Sequence, residues 1–273
     1  MILSHRLRAA AGNTSGSFVT DGLMQHFDFS DTNCYASSGA TAITDLSGSG
    51  NDMTFASAPT LYTSSYGSGG RHIQVPGNYS NGHAYHGTDQ TSVGFTQTQG
   101  TNPFTIELWF NAEDSGGEFP LFQDEMTLIR FSPSIAVEYK RFSLVTTVKM
   151  RSQGMSGSTN VNSNYPEFDV DTSNRYSTGS FAGWEHFVAV RENTGTNGMK
   201  YYRNGTLIKQ DTNSINYTGI ASGFILSGTM VRLFQAGGGD VKAGIYRRYI
   251  NKGLTSTEVQ QHYDLDKGRF GLS

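Results

Sequence analysis

The clearest pattern along the chain is the alternation of apolar and polar residues in PFTIELWFNA, Pro103 to Ala112. Successive side chains of a strand point to opposite faces, so Phe104, Ile106, Leu108 and Phe110 share one face and Thr105, Glu107, Trp109 and Asn111 the other. This predicts a strand with its apolar face on the core and its second face either exposed or under another layer. Weaker runs of the same kind occur in GLMQHFDF from Gly22, FSLVTTVKM from Phe142 and GWEHFVAVRE from Gly183. MKYYRNGTLIKQD, from Met199, reads as a hairpin, because Asn204-Gly205 is the favoured pair for a type I′ turn. One segment departs from the period of two. Thr255 and Glu258 have the spacing of a capping box, and Leu254 and Val259 that of a hydrophobic staple. Val259 and Tyr263 then share a face at i, i+4, and Gly268 is placed to end the helix in a left-handed conformation. The pattern predicts an all-β domain of two antiparallel sheets with one short C-terminal helix over Ser256–Asp266.

The organisation before Asp21 is different. Met1 to about Thr20 reads as an N-terminal attachment arm, and residues 21–273 as one domain without repeats or heptads. Ile2, Leu3, Leu7 and an alanine run allow a turn or two of helix, too short to be stable undocked. Leu3, Arg6, Leu7 and Arg8 are the residues expected to fasten the arm to a neighbour; packing of the arm on its own domain is the alternative.

Composition narrows the partners. There are 33 glycines in 273 residues, and charged residues are only 16%, against usual values of about 7% and ~25%. Such a chain suits many short strands and tight loops, and a surface that meets other protein without charge repulsion. A net charge of −3 with scattered Lys and Arg gives no electrostatic case for nucleic acid or anionic membrane. No run approaches 18 apolar residues, so no membrane-spanning helix is expected. The single Cys34 excludes an internal disulfide and reads as a small buried hydrophobe. MILSHRLRAAAGN lacks the apolar stretch of a signal peptide, which points to synthesis in a reducing cytoplasm.

Candidate chemistry is sparse. The loop Asn78–Asp89, NYSNGHAYHGTD, concentrates aromatic plates and short polar groups, and Tyr79, Asn81, Tyr85 and Asp89 are the candidate glycan-binding residues. The alternative is a polar surface loop or a protein contact. His83 and His86 lack a third ligand for a metal. In Asp45–Phe55, DLSGSGNDMTF, Gly48 and Gly50 permit positive φ while Asp45 and Asn51 can bond loop backbone, giving a self-capped loop. Glu107 and Trp109 share a strand face and read either as structural or as a sugar-binding pair. His186 reads as a packed core histidine.

The segment Ala243–Leu272 resembles the closing strand and helix of laminin-G-like, concanavalin A-like sandwich domains. The loop at Asp45–Phe55 resembles their opening Asp-Leu-Ser-Gly loop, and Trp184, His186, Ala189, Val190, Tyr202, Asn204 and Gly205 match their Trp-x-His … Tyr-x-Asn-Gly pattern. The resemblance covers about Asp21 to Leu272 and implies a concanavalin A-like jelly-roll sandwich. It also brings in calcium, which such domains hold near a loop. Asp45 is the weak candidate ligand, short of the several oxygens an ion needs, and no other cofactor or metal is implied. Sugar hydrolases of this fold carry Glu-x-Asp-x-x-Glu. Here Glu167-Phe168-Asp169-Val170-Asp171-Thr172 lacks the third carboxylate, so no catalytic residue is assigned.

The tail Lys267–Leu272 is similar to the ending of such domains in structural proteins of tailed bacteriophages. The resemblance therefore implies a non-enzymatic virion structural protein, foremost a capsid decoration or knob, since the chain lacks the elongated shaft of a fibre. It would reach the virion surface after assembly in the host cytoplasm. Its partners would be other virion proteins of capsid or tail, copies of itself and cell-surface glycan. A tail-associated carbohydrate-binding protein is the alternative reading, and a glycan hydrolase the third.

Overall fold

The computed structural model describes residues 17–55, 57–62, 71–75, 84–85, 103–112, 125–131, 135–140, 148–149, 155–156, 159–160, 169–170, 184–192, 198–210, 231–235 and 241–273. In chain order the strands are β1 (Leu23–Asp28), β2 (Ala42–Ile43), β3 (Met53–Phe55), β4 (Thr60–Tyr62), β5 (His72–Val75), β6 (Ala84–Tyr85) and β7 (Phe104–Ala112). They continue with β8 (Glu125–Phe131), β9 (Ile135–Lys140), β10 (Val148–Lys149), β11 (Met155–Ser156), β12 (Thr159–Asn160) and β13 (Asp169–Val170). The last five are β14 (Glu185–Arg191), β15 (Met199–Arg203), β16 (Thr206–Gln210), β17 (Val231–Gln235) and β18 (Val241–Ile250).

Two antiparallel sheets make the sandwich. The larger runs β16-β15-β14-β7-β18-β5-β4, with β1 also on β18; the smaller runs β2-β3-β6-β17-β8-β9. The long strand β18 organises the larger sheet. One edge pairs with all of β7, while the other takes β5 at Val241–Ala243 and β1 at Ile245–Tyr249. The changeover is the irregularity at Gly244, whose carbonyl accepts from Phe29 N–H. A Cβ at Gly244 would collide with the Phe270 ring, so only glycine lets the tail pack there.

The free edge of β1 is covered by the loop before β3. Asp45 Oδ1 accepts from His26 N–H at 2.9 Å, and Asn51 Nδ2 and Ser47 Oγ both donate to Met24 O. Gly48 and Gly50 take φ of 84° and 74°, as the self-capped loop requires. Bonds of this kind cover the part of the edge at Met24 and His26, which would otherwise offer its ladder groups to another chain.

The face of β7 carrying Ile106 and Leu108 is buried towards the smaller sheet, where Phe29, Tyr35 and Phe55 meet at ring separations of 6.2–6.4 Å. Its other face is buried as well: Thr105, Glu107, Trp109 and Asn111 are all sealed. The cover over Thr105, Glu107 and Trp109 is the C-terminal helix, Ser256–Asp266, which supplies the layer that the alternation left open.

That helix begins as its sequence dictates. Glu258 N–H donates to Thr255 Oγ1 at 3.2 Å, and Thr255 N–H donates to Glu258 Oε2 at 2.7 Å. Leu254 and Val259 are buried in one apolar cluster with Val188, Val190, Tyr202 and Tyr249. The end differs from expectation. The chain continues through a 3₁₀ turn at Lys267–Phe270, and the left-handed residue is Gly271 (φ 74°), not Gly268. Asp266 binds Arg247 on β18 and Arg269 on the turn, so stopping at Gly268 would forfeit the contacts of the turn. The hairpin is as predicted, with φ of 49° at Asn204 and 77° at Gly205. Of the expected strand over 142–150, only Val148–Lys149 lies among the described residues, and it is β10.

Replacing Thr255 by Ala removes one side-chain cap and should cost about 1 kcal/mol. Gly244→Val should cost more, because β-carbon and branch both strike Phe270. Urea unfolding of the two variants orders the costs; equal midpoints with the parent would contradict both placements.

Candidate functional site

Among the described residues, a group of buried ionisable side chains gathers under the C-terminal helix. β7 presents Glu107 to this face, with Arg247 on β18 and His26 on β1 as successive cross-strand partners in register, while β14 presents His186, the partner of Trp109, one diagonal step away. The helix contributes His262 and Asp266, four apart and therefore on one side. Flanking apolar clusters close the site: Val188, Tyr249, Leu254 and Val259 at one end, Trp109, Trp184, Ile245 and Phe270 at the other.

Glu107 is 0% exposed. Its Oε1 accepts from Arg247 Nη1 at 2.7 Å and lies 3.0 Å from His186 Nε2, and its Oε2 lies 2.8 Å from His262 Nδ1. Arg247 Nη2 donates to Asp266 Oδ2 at 2.7 Å, and Arg269 Nη1 donates to Asp266 Oδ1 at 3.1 Å. Arg269 Nη2 then reaches Asp28 Oδ1 and Oδ2 at 2.8 and 2.9 Å. The result is a chain of alternating charge, Glu107–Arg247–Asp266–Arg269–Asp28, from the centre of the larger sheet to its β1 edge.

Burial alone would push the Glu107 carboxyl up. The charge of Arg247, with hydrogen bonds from His186 and His262, overcomes burial and holds it well below the usual carboxylate range. For Asp28, too, burial is outweighed, here by Arg269 and Ser30, and the carboxyl is lowered. For Arg247 burial acts downwards, but Glu107 and Asp266 raise it. His26, buried and beside Arg247, is lowered from 6.5 to about 4 and is neutral at pH 7.

These values decide what the arrangement can do. A carboxylate kept ionised, sealed from solvent and saturated by three donors cannot protonate or attack a substrate. Glu107 joins the sheet to the helix instead. Of the two readings of Glu107 and Trp109 the structural one holds, not the sugar-binding pair: Trp109 stacks on Phe270 at 4.3 Å and is 0% exposed. His186 is a core histidine, as expected.

Other expected positions fall elsewhere. Tyr85 is a strand residue of β6, whose backbone pairs with Thr54 of β3 and Arg232 of β17, so this part of the expected loop is a sheet interior. Tyr79, Asn81 and Asp89, like His83 and His86, lie outside the described residues. So do Leu3, Arg6, Leu7 and Arg8, and Glu167, Asp171 and Thr172; Asp169–Val170 form β13 against β10. Both oxygens of Asp45 are occupied, Oδ1 by the N–H groups of His26 and Ser47, Oδ2 by Ser47 Oγ and Asn51 N–H. Donors surround it, not the oxygen ligands calcium needs, and the described residues contain no group of three or more His, Cys, Asp or Glu fit for a metal. The residues sequence reasoning missed are Arg247, His262, Asp266 and Arg269. A signal existed at Arg247, a charge within the otherwise hydrophobic strand AGIYRRYI.

The end of the arm belongs to the domain. Ser17–Thr20 pack on the C-terminal helix and β18: Gln261 Nε2 donates to Ser17 O, and Tyr249 Oη donates to Val19 O.

No protein-family model matches the chain, and no curated protein matches it in sequence. Solved structures do. The binding domain of botulinum neurotoxin DC, in complex with rat synaptotagmin II, matches with a TM-score of 0.62 and 13% identity, over 90% of this chain and 52% of that one. A structure of botulinum neurotoxin type C, described through its interaction with two ganglioside molecules, matches with 0.62, 13%, 90% and 51%. The binding domain of Paraclostridial Mosquitocidal Protein 1 matches with 0.61, 15%, 89% and 52%. The chain spans about half the length of these structures, and the likeness is one of fold: a β-sandwich of binding domains.

The site predicts a direction of pH dependence. His26 has a folded value of about 4 against an ordinary 6.5, so its contribution is complete above pH 6.5 and lost as pH falls towards 4. Glu107 and Asp28, lowered below 4.5 and 3.8, add losses at the acid end. The urea midpoint should be level above pH 6.5 and decline steadily below it; a midpoint unchanged down to pH 4 would contradict the arrangement.

Proposed function

We propose that the chain is a non-enzymatic virion structural protein of a tailed bacteriophage, a lectin-like sandwich displayed as a capsid decoration. The observation that carries the non-enzymatic part is the sealing of Glu107: a fully buried carboxylate held ionised is spent on joining helix to sheet. A sandwich locked in this way is a rigid scaffold for loops that recognise rather than transform. The virion placement rests on the resemblance of the C-terminal segment to phage structural proteins. The chain reaches the virion surface from the host cytoplasm, with virion proteins and other copies of itself as neighbours.

A second reading, a tail-associated carbohydrate-binding protein, is favoured by the likeness to binding domains, one of them described by its interaction with gangliosides. Both readings give the sandwich a cell-surface glycan as a plausible ligand, with Tyr79, Asn81 and Asp89 the first residues to vary. Tyr85 is the weaker member, since its backbone is fixed in a sheet.

The purified chain should retain glycans on an array and release no reducing sugar. Sugar release would overturn the non-enzymatic reading. Labelled particles should carry signal over the capsid, and signal confined to the tail would select the second reading. Attachment is tested by a truncation starting at Ser17, which keeps the packed residues Ser17–Thr20. It should stay folded but be missing from particles; normal incorporation would reject the arm.

A further inference from the structure

His262 makes two hydrogen bonds with opposite demands. Its Nδ1 lies 2.8 Å from Glu107 Oε2, an ionised carboxylate that can only accept, so Nδ1 carries the proton. Its Nε2 accepts from the backbone N–H of Val19 at 2.9 Å, so Nε2 must be the lone pair. The bound imidazole is therefore neutral and of one tautomer, and the C-terminal helix grips residues 243 positions away through an acceptor that a proton abolishes.

The gripped segment is a strap: Val19 packs on the apolar cluster of Val188, Tyr249 and Val259, and Phe18 lies on the ionisable one. Phe18 lies edge-on to His26 at 4.8 Å and to His262 at 6.4 Å, with the Arg247 guanidinium 4.6 Å from its ring centroid. His26 Nε2 is buried without a hydrogen-bond partner, so charging that ring offers it no acceptor. The strap's other hydrogen bonds, from Gln261 to Ser17 O, from Tyr249 to Val19 O and from Leu23 N–H to Thr20 O, involve no group that titrates between pH 5 and 8.

We propose that His262 is an acid-sensitive latch: protonation of Nε2 sets two N–H donors against each other and frees the Val19 N–H from the C-terminal helix. The charges around His262 come from every packed element. Glu107 on β7, with Asp266 and Glu258 on its own helix, favour the imidazolium; Arg247 on β18, and His26 on β1 and His186 on β14 once charged, oppose it. Glu107 is touched by Nδ1–H in both states, so protonation need not break the bond to the sheet. What is lost is the bond to Val19, which leaves the sandwich joined to its helix while the strap is held more loosely, by its bonds to Gln261, Tyr249 and Leu23. An imidazole switches over the physiological acid range, where hydroxyl and amide contacts do not.

The test is amide hydrogen exchange at Val19 in the full chain, corrected for the intrinsic pH dependence of exchange, at about pH 7.5 and pH 5. Protection at Val19 should fall roughly tenfold or more, while that of Val259, inside the helix, is kept. His262→Gln offers a side-chain oxygen to Val19 and an N–H to Glu107 without titrating, so its Val19 protection should be the same at both pH values. His26→Gln should still respond. Unchanged Val19 protection in the parent, joint loss at Val19 and Val259, or a response abolished by His26→Gln would each overturn the latch. Should His262→Gln fail to fold, the ¹⁵N shifts of His262 in the parent decide: the expected state is protonated at Nδ1 and bare at Nε2 at pH 7.5, and the opposite tautomer overturns the proposal.

Discussion

Everything on the helix side of the larger sheet depends on the burial of one carboxylate. An ion taken out of water costs several kcal/mol even after relaxation, and is tolerated only when paired and fully hydrogen-bonded. Glu107 meets that condition with donors from three elements: Arg247 on β18, His186 on β14 and His262 on the helix. None of these elements can leave without stranding the charge. The cost becomes a constraint on where the helix sits, which apolar packing alone would leave freer to slide.

The apolar clusters and the charge chain divide the labour. Leu254 and Val259 set the depth of the helix against Val188 and Tyr249. Arg269 and Phe270 then turn the tail back so that one side chain pairs with Asp28 and the next stacks on Trp109. The closing residues thus reach both the first strand of the sheet and its centre. Gly244, kept bare by the Phe270 ring, is the local condition for that turn. A scaffold joined at so many points suits recognition by loops.

Much of this was legible in the sequence. The alternation of Phe104–Phe110 predicted a strand, Asn204-Gly205 its hairpin turn, and Thr255 with Glu258 the first turn of the helix, because each rests on interactions within a few residues. The resemblance to concanavalin A-like domains led to the right class of fold. The end of the helix was misplaced because a glycine signals a stop only when nothing beyond it is worth reaching. Arg269 and Phe270 make contacts with residues 28 and 109 that no local pattern encodes. The Glu107 site was hidden for the same reason: its members are spread from residue 26 to residue 269. Tyr85 was assigned to a loop from its polar neighbours, whereas pairing on both sides places it within a sheet.

The central claim is that Glu107 and Arg247 act as one buried unit that locks helix to sheet. A double-mutant cycle with Glu107→Gln, Arg247→Met and the pair, read by urea unfolding at neutral pH, measures that directly. Each single change strands a buried partner and should cost about 3–5 kcal/mol, and the double variant should cost clearly less than the two together. Single costs below about 1 kcal/mol that simply add would contradict the account, since the two side chains would then be neighbours without being a lock.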